Sequence, residues 1–340
     1  MYVAIPPLVE LQHALSTLAG QAPDRALRSL LEAGHGRLPL PGHGDTIARW
    51  RTLAAIAEHD LSLAKLFEGH TDALAILAEA GAAPDDSVGI WGTWCAEPPD
   101  ARLTLAHTPD GTTVARGRKA WCSGAHMASH AVVSCWDETG AARLAAVHLR
   151  QRGVTITDDG WHAVGMQATR SVDVLFEDVP VTPLGGADFY VQRAGFWHGG
   201  AGVAACWFGA ATRLAEVLRA RLAEQGDRAD PHRLAQLGQV SVALRASAAM
   251  LREAAAAIDQ APQADAMALA LSVRLGVEAA ATLVLNAVGR ALGAGPLCKD
   301  AAFARLYADL PVFMRQSHAE RDQEALGRAV ALETKTPWML

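Results

Sequence analysis

The sequence predicts a mixed α+β chain in which helices come before and after a β-domain of roughly a hundred residues. Three observations lead to this prediction. Apolar residues recur at helical spacing over residues 1–86, short alternating runs divided by turn residues fill 87–183, and long alanine-rich apolar stretches fill 184–340. We therefore expect an N-terminal helical domain, a middle antiparallel β-barrel and a C-terminal four-helix bundle.

The first segment contains four predicted helices. Helical spacing of apolar residues places them over residues 8–18, 25–33, about 46–59 and 61–80. A loop rich in glycine and proline, 34–44, separates the second helix from the third, and Asp45 or Thr46 can cap the third helix.

The middle segment has the composition of a sheet built from short strands. Six runs rich in β-branched and apolar residues cover 103–107, 112–115, 131–136, 144–149, 154–156 and 172–179. Turn residues such as Pro109-Asp110-Gly111 separate these runs. Short strands at regular spacing are typical of an antiparallel barrel or sandwich.

The last segment returns to helical patterns, which cover residues 201–224, 231–258 and 264–292. Asp230 followed by Pro231 predicts an N-cap with proline at the first helical position. The turn 293–296 is expected to stop the third of these helices. A final helix is expected to begin near Asp300 and to kink or break at Pro311.

Charge and cysteine usage exclude several classes of protein. The net charge is −6 and the isoelectric point is about 6.1, which argues against a general nucleic-acid binder. No uninterrupted apolar run has the length of a membrane span and the first residues lack a signal-peptide pattern, so we expect a cytoplasmic protein that does not bind membranes. The five scattered cysteines form no CxxC pair, so we expect free thiols and no metal site.

Two motifs identify a family resemblance. The run Gly117–Ala125 contains Lys119, Trp121 and Ser123, and the run Gly165–Ser171 contains Thr169 and precedes a clear strand pattern. Together with the order of helices, β-domain and helices, these motifs resemble the middle domain of the acyl-CoA dehydrogenase superfamily. The resemblance implies a flavin cofactor, FAD with FMN as the alternative, whose ring packs against Trp121 and Ser123.

The resemblance implies further cofactor contacts. Trp94-Cys95-Ala96-Glu97-Pro98 corresponds to the turn that ends the first β-domain strand in the family, so the backbone of Cys95 and Ala96 is expected to hold the ring. Ala96 stands where the family usually has threonine. Thr169 is expected at the cofactor edge. In the C-terminal turn, Gly293 and Gly295 are expected to let the backbone approach the adenosine half of FAD.

The catalytic residue decides the reaction. The dehydrogenation of an acyl thioester requires a carboxylate that removes the α-proton. In the family this is usually a glutamate after an Arg-Asp pair of the final helix, and the pair is Ala308-Asp309 here. Counting from Asp309 places Ser317 or His318 at the position of the glutamate, so His318 or Glu320 is expected to carry the proton chemistry.

The resemblance therefore implies a flavin-dependent oxidoreductase acting on an acyl thioester or a related small molecule, with His198 and Trp94 as expected substrate contacts. One alternative is a two-component flavin monooxygenase of the same superfamily, which would use His318, Ser123 and a separate flavin reductase. Another is a homologue that has lost flavin and serves as a binding or scaffold subunit. A dehydrogenase would need an electron acceptor, and we expect a homodimer or homotetramer.

Overall fold

The computed structural model describes residues 8–82, 89–334 and 338. These residues contain helices before and after a set of strands, so the predicted α+β class is confirmed. The helices are α1 (Leu8–Thr17), α2 (Pro23–Glu32), α3 (Thr46–His59), α4 (Leu61–Glu79), α5 (Phe189–Gln192), α6 (Gly195–Gln225), α7 (Pro231–Gln260), α8 (Met267–Leu292), α9 (Ala294–Lys299), α10 (Ala301–Phe313) and α11 (Glu320–Ala331). The strands are β1 (Trp91–Trp94), β2 (Leu103–His107), β3 (Thr113–Cys122), β4 (His130–Trp136), β5 (Ala142–His148), β6 (Val154–Ile156), β7 (Val172–Pro180) and β8 (Thr182–Leu184).

The chain divides into two compact units. Unit 1 comprises Met1–Leu38 and Ser62–Phe196, and unit 2 comprises Pro39–Leu61 and Trp197–Leu340. Unit 1 therefore contains the strands together with α1, α2 and most of α4, and unit 2 contains α3 and the later long helices. The predicted boundary after residue 86 lies outside the described residues, and the boundary after residue 183 falls within β8. The three-domain division stays a prediction.

The strands of unit 1 form a single sheet with the order β6-β7-β3-β2-β4-β5-β8, and β1 is an additional neighbour of β4. Most pairs are antiparallel, as expected, but β1 and β2 both pair with β4 in parallel. The sheet is therefore not fully antiparallel, which differs from the arrangement that the sequence predicts. Parallel pairing is possible here because neither β1 nor β2 is joined to β4 by a tight hairpin. The described strands do not by themselves establish the predicted closed barrel.

The sheet has apolar residues on both faces at β4. Ala131, Val133 and Cys135 belong to one core cluster, which also contains Trp94, Leu103, Val174 and Phe176. Val132 faces the other way and packs with Ala73, Ile76 and Leu77 of α4. Because helix α4 covers this second face, β4 is buried along most of its length, and four of its five buried residues are apolar, the exception being Ser134.

The helices of unit 2 begin largely where the sequence predicts. The Asp230 carboxylate accepts hydrogen bonds from the backbone N–H groups of His232 (2.9 Å) and Arg233 (3.0 Å), so this predicted N-cap of α7 is confirmed. Asp300 caps α10 in the same way, accepting from Ala302 and Phe303. Helix α10 therefore begins next to Asp300, as predicted.

Two breaks in unit 2 differ from the prediction. Pro311 lies inside α10, which continues to Phe313. The helix tolerates the missing N–H because Pro311 lies in its last turn and buried Leu310 and Phe313 hold that turn in the core. Gly293 ends α8 with a left-handed backbone (φ 64°), but the short helix α9 follows immediately. The turn therefore redirects the chain without ending helical structure.

Two helices, Gly195–Arg228 and Met267–Leu292, are long and apolar enough to cross a membrane by length and composition alone. Buried residues make up 72% and 50% of their most apolar stretches, respectively. Core helices of globular proteins have this character, so the apolar sequence of α6 and α8 is explained by packing. The predicted cytoplasmic location stays a prediction.

His70 of α4 connects the stability of unit 1 to pH. Its Nδ1 accepts a hydrogen bond from the backbone N–H of Trp91 (3.1 Å), and burial lowers the pKa of His70 from 6.5 to about 4. The unfolded chain therefore binds this proton more readily than the folded chain. We predict that protonation of His70 lowers the free energy of unfolding by up to about 3 kcal/mol as the pH drops from about 6.5 to about 4. Below about pH 4 the contribution of His70 should not change further, because both the folded and the unfolded chain then bind the proton.

This prediction is measured by denaturant unfolding at a series of pH values. His70→Asn keeps an oxygen acceptor for Trp91 and removes the titration, so its unfolding free energy should depend less on pH in this window. His162→Asn is the matched control, because the His162 side chain is 87% exposed. An unchanged pH dependence in His70→Asn would contradict the assignment.

Candidate functional site

The end of β3 turns an aromatic side chain away from the core. Cys122 is fully buried, whereas Trp121 before it is 50% exposed and Ser123 after it is half-buried. Trp121 has a left-handed backbone (φ 57°), and the pairing of β3 with β7 changes register between Lys119 and Cys122. Because left-handed backbone is costly for a bulky residue, the surrounding packing must hold Trp121 in this orientation.

Ser123 begins a chain of hydroxyl groups that we call the hydroxyl relay. Its Oγ lies 2.8 Å from Ser171 Oγ, which lies 2.8 Å from Thr169 Oγ1. Thr169 Oγ1 lies 2.8 Å from the carbonyl oxygen of Met166. Trp94 supports the same turn from the core, since its Nε1 donates to the Ser123 carbonyl oxygen at 3.1 Å. The relay therefore joins the two sequence motifs in one place.

Ser123 also faces a narrow crevice in unit 1. Residues of α4, of β1 and of the segment after β3 line this crevice, among them Lys65, Thr93 and Gly124, and its cavity volume is about 10 Å³, roughly enough for one water molecule. A side chain at Gly124 would meet Leu66 Cδ2 at 2.8 Å. The crevice thus has room only for a small group beside Ser123.

The turn after β1 is anchored by a buried polar cluster that sequence reasoning missed. The Lys119 side chain is 1% exposed, and its Nζ donates to Glu97 Oε1 (2.5 Å) and to Ser134 Oγ (2.6 Å). Trp136 Nε1 donates to the second oxygen of Glu97 at 2.9 Å, and Ser134 donates to the first. Because one carboxylate binds three donors from β3 and β4, the adjacent Cys95 and Ala96 are held in place.

Cys95 and Ala96 themselves are half-buried. Burial raises the pKa of the Cys95 thiol to about 11, with the nearby Lys119 charge opposing the shift. This thiol is therefore protonated at neutral pH and a poor nucleophile. Cys95 and Ala96 can therefore contribute their backbone groups, and a ring contact by this backbone is what the sequence predicts.

The other predicted site residues lie in unit 2, apart from Trp94. His198 is buried on α6, and Gly293 and Gly295 are exposed at the end of α8 and in α9. Glu320 is exposed at the first position of α11. Trp94 is 2% exposed and bonded to Ser123, so its placement supports the turn at Ser123. The predicted substrate contacts of His198 and Trp94 stay predictions.

His318 is paired with a carboxylate on its own turn. Its Nδ1 lies 3.3 Å from Asp322 Oδ1, and its backbone N–H donates to Asp322 Oδ2 at 3.0 Å. The imidazole is 67% exposed. Asp322, which the sequence analysis did not select, orients the ring and leaves Nε2 for proton exchange. The sequence does contain a signal for this pair, because Asp322 follows His318 by four residues at the start of a predicted helix, and side chains at that spacing lie close together.

A buried arginine ties together the two segments of unit 2 that carry the predicted histidines. Arg274 Nη1 donates to the carbonyl oxygen of Gly200 at 2.7 Å, and Nη2 donates to that of Gln316 at 2.8 Å. Each carbonyl is two residues from a predicted site residue, His198 or His318. Arg274 also stacks on Trp207, with 4.9 Å between the guanidinium carbon and the ring centroid. The sequence alone did not predict these contacts of Arg274.

No family model matches the chain. A curated relative, the amino sugar nitrososynthase DnmZ of Streptomyces peucetius, is 40% identical over 93 residues, which are 26% of this chain. The match spans only 23% of the length of that relative. It is a local similarity, and the activity of the whole relative does not transfer with it.

Solved structures are similar over nearly the whole chain. KijD3 in complex with FMN and dTDP-3-amino-2,3,6-trideoxy-4-keto-3-methyl-D-glucose has a TM-score of 0.82 at 20% identity, covering 97% of this chain and 95% of its own. The dibenzothiophene monooxygenase TdsC from Paenibacillus sp. A11-2, in complex with FMN and indole, has a TM-score of 0.78 at 20% identity, covering 97% and 98%. At about 20% identity these similarities show the fold alone, so the chain has the fold that KijD3 and TdsC share.

The exposed face of Trp121 fits the wall of a planar ring, since an indole beside a hydroxyl suits an aromatic group with polar edges. We predict that Trp121→Ala weakens the binding of FMN at least tenfold because it removes this stacking surface. The measurement is a fluorescence titration of FMN with the purified protein. Trp338→Ala removes an indole that is 80% exposed and is the control. Unchanged FMN affinity in Trp121→Ala would refute the assignment.

Proposed function

We propose that this chain is the oxygenase of a two-component flavin monooxygenase, which takes reduced FMN from a separate reductase and oxygenates a small molecule. The observation that carries the proposal is the residue at the position of the dehydrogenase base. Acyl thioester dehydrogenation needs a carboxylate there. Residues 310–319 contain no aspartate or glutamate, and counting from Asp309 reaches Ser317 or His318, of which His318 is held by Asp322.

His318 would act as a proton donor and acceptor. Asp322 accepts from Nδ1 and so favours the tautomer, or the protonated form, in which Nδ1 carries hydrogen. Nε2 then exchanges a proton with the reacting molecule. Because the ring is 67% exposed, it can also regain that proton from water.

Trp121, Ser123 and the backbone of Cys95 and Ala96 would hold the flavin ring, and the bound reduced flavin supplies the electrons for oxygen activation. FMN is favoured over the expected FAD because the complexes of similar fold contain FMN. Gly293 and Gly295 are the residues of this chain that an FAD adenosine would need. A homo-oligomer and a cytoplasmic location complete the proposal.

The substrate class is suggested by the similar proteins. KijD3 was solved with an amino sugar nucleotide, TdsC with indole, and DnmZ is named an amino sugar nitrososynthase. The KijD3 and DnmZ descriptions involve an amino sugar, and the TdsC complex contains indole, although TdsC is named for dibenzothiophene, a sulfur heterocycle. We propose a nitrogen-bearing small molecule here, with oxygen transferred to nitrogen.

The proposal and the dehydrogenase alternative differ in what reduces the flavin. We predict that octanoyl-CoA, added without oxygen to the protein and FMN or FAD, leaves the visible flavin absorbance unchanged, because residues 310–319 contain no carboxylate that could remove the α-proton. NADH with a flavin reductase should instead support oxygen transfer to an amine probe, detected by mass. Bleaching of the flavin by octanoyl-CoA would establish the dehydrogenase. Failure of the protein to bind either flavin would favour the flavin-free homologue.

The role of His318 is tested separately. With dTDP-3-amino sugar as the probe and the reductase system supplying reduced FMN, His318→Ala should lower the rate of oxygenation about a hundredfold. FMN affinity should change by less than about threefold, since the ring contacts are unaltered. Glu320→Ala is the matched control and should keep its rate, because Glu320 is exposed two residues away. Loss of activity in Glu320→Ala with full activity in His318→Ala would reverse the assignment.

A further inference from the structure

The segment that contains His318 is irregular, so contacts with other parts of the chain are needed to fix its backbone. Residues 317–319 lie between a short turn of 3-10 helix and the start of α11. Ala319 has a left-handed backbone (φ 46°), which is uncommon for a residue other than glycine. Such a conformation costs free energy and persists only where the surrounding structure holds it. The position of His318 therefore depends on what holds residues 314–319.

Helix α8 makes two contacts with this segment. The Arg274 guanidinium donates to the carbonyl oxygen of Gln316 at 2.8 Å, and the Glu278 carboxylate accepts from Arg315 at 2.6 Å. Arg274 and Glu278 are four residues apart, so their side chains lie on the same side of the helix. The Arg315 side chain is 60% exposed, whereas Arg274 is 8% exposed. Arg274 therefore makes the contact that is better shielded from water and salt.

The guanidinium of Arg274 is itself held in place. Its Nη1 donates to the Gly200 carbonyl oxygen of α6 at 2.7 Å, while Nη2 donates to Gln316. Its face lies over the ring of Trp207, which is fully buried. A planar guanidinium can bind two carbonyl oxygens and an aromatic face at once, whereas the ammonium group of lysine has no such fork. Arginine at this position is therefore suited to set the distance between α6 and the His318 segment.

We propose that Arg274 is a positioning residue for proton transfer by His318. It fixes the backbone at Gln316, two residues before the imidazole, while Asp322 orients the ring. This role rests on the proposed function, in which His318 transfers protons, and it adds the residue that keeps His318 in place. Arg274 acts through the backbone and does not need to touch the reacting molecule.

Amide hydrogen exchange tests this role without an enzyme assay. The backbone N–H groups of Ser317 and His318 are both hydrogen-bonded, so both should exchange slowly in the wild type. In Arg274→Lys we expect both to exchange about tenfold faster, because an ammonium group cannot bind both carbonyl oxygens. The N–H of Phe303 at the start of α10 is the internal reference and should keep its rate. Unchanged exchange of Ser317 and His318 would overturn the positioning role.

The effect on catalysis is measured with the dTDP-3-amino sugar probe and the reductase system. We expect Arg274→Lys to lower kcat about tenfold and to change the KM of the probe by less than about threefold, since Arg274 is not among the expected substrate contacts. Arg252→Lys makes the same chemical change at an exposed position of α7 and should keep the wild-type rate. If Arg274→Lys does not fold, Arg274→Gln leaves no buried charge and should show the same changes in exchange and kcat.

A double-mutant cycle separates positioning from a general structural effect. In a His318→Ala background, Arg274→Lys should lower kcat by less than about twofold further, because the side chain that Arg274 positions is gone. A further tenfold loss would mean that Arg274 acts independently of His318, and it would overturn the positioning role.

The outcomes also distinguish this role from the proposed function. Oxygenation by the wild type, together with unchanged kcat and unchanged exchange in Arg274→Lys, would overturn the role of Arg274 alone. No oxygenation by the wild type would refute the proposed function and with it the catalytic role of Arg274, and the exchange rates would still decide whether Arg274 holds the segment.

Discussion

The register change between β3 and β7 is the constraint on which the candidate site depends. It allows Lys119 and Cys122 to face the interior while Trp121, between them, is half exposed. A regular strand would place Lys119 and Trp121 on the same face, and burying one would bury the other. The bulge, together with the left-handed backbone at Trp121, thus separates the anchoring residue from the residue that presents a surface.

Buried charges in unit 1 are paired at the points where loops meet regular structure. The Glu97 carboxylate accepts hydrogen bonds from Lys119, Ser134 and Trp136. It lies beside the turn that contains Cys95 and Ala96. Glu79 plays a similar part at the start of α6, where it binds Arg193 at 2.5 Å and the Gly195 N–H at 2.9 Å. Such pairs add little net stability, but removing one partner is costly, so they fix the positions of the loops.

The two candidate parts of the chemistry differ in character. The hydroxyl relay of unit 1 is neutral, and its Thr169 and Ser171 are buried. In unit 2 the His318 imidazole is exposed to water, whereas its partner Asp322 is only 13% exposed. A rigid neutral contact suits recognition of a cofactor, and an exchangeable proton suits turnover. The division supports an enzyme that binds a reduced cofactor and then needs proton transfer.

The sequence by itself determined where most elements lie. The spans of β2 and β6 and the starts of α7 and α10 follow from alternation and capping residues. These features depend on neighbours within a few residues, so local patterns contain them. The family resemblance and the selection of Trp121, Ser123 and Thr169 also came from local motifs.

Only the tertiary structure decided how those residues act. The parallel pairing of β1 with β4, the Glu97 cluster, the Arg274 contacts and Ser171 as the link between Ser123 and Thr169 join residues far apart in sequence. Ser123 and Ser171 are 48 residues apart, yet their hydroxyl oxygens lie 2.8 Å from each other in the folded chain. Periodicity contains no information on such partners, because they are chosen by packing in three dimensions.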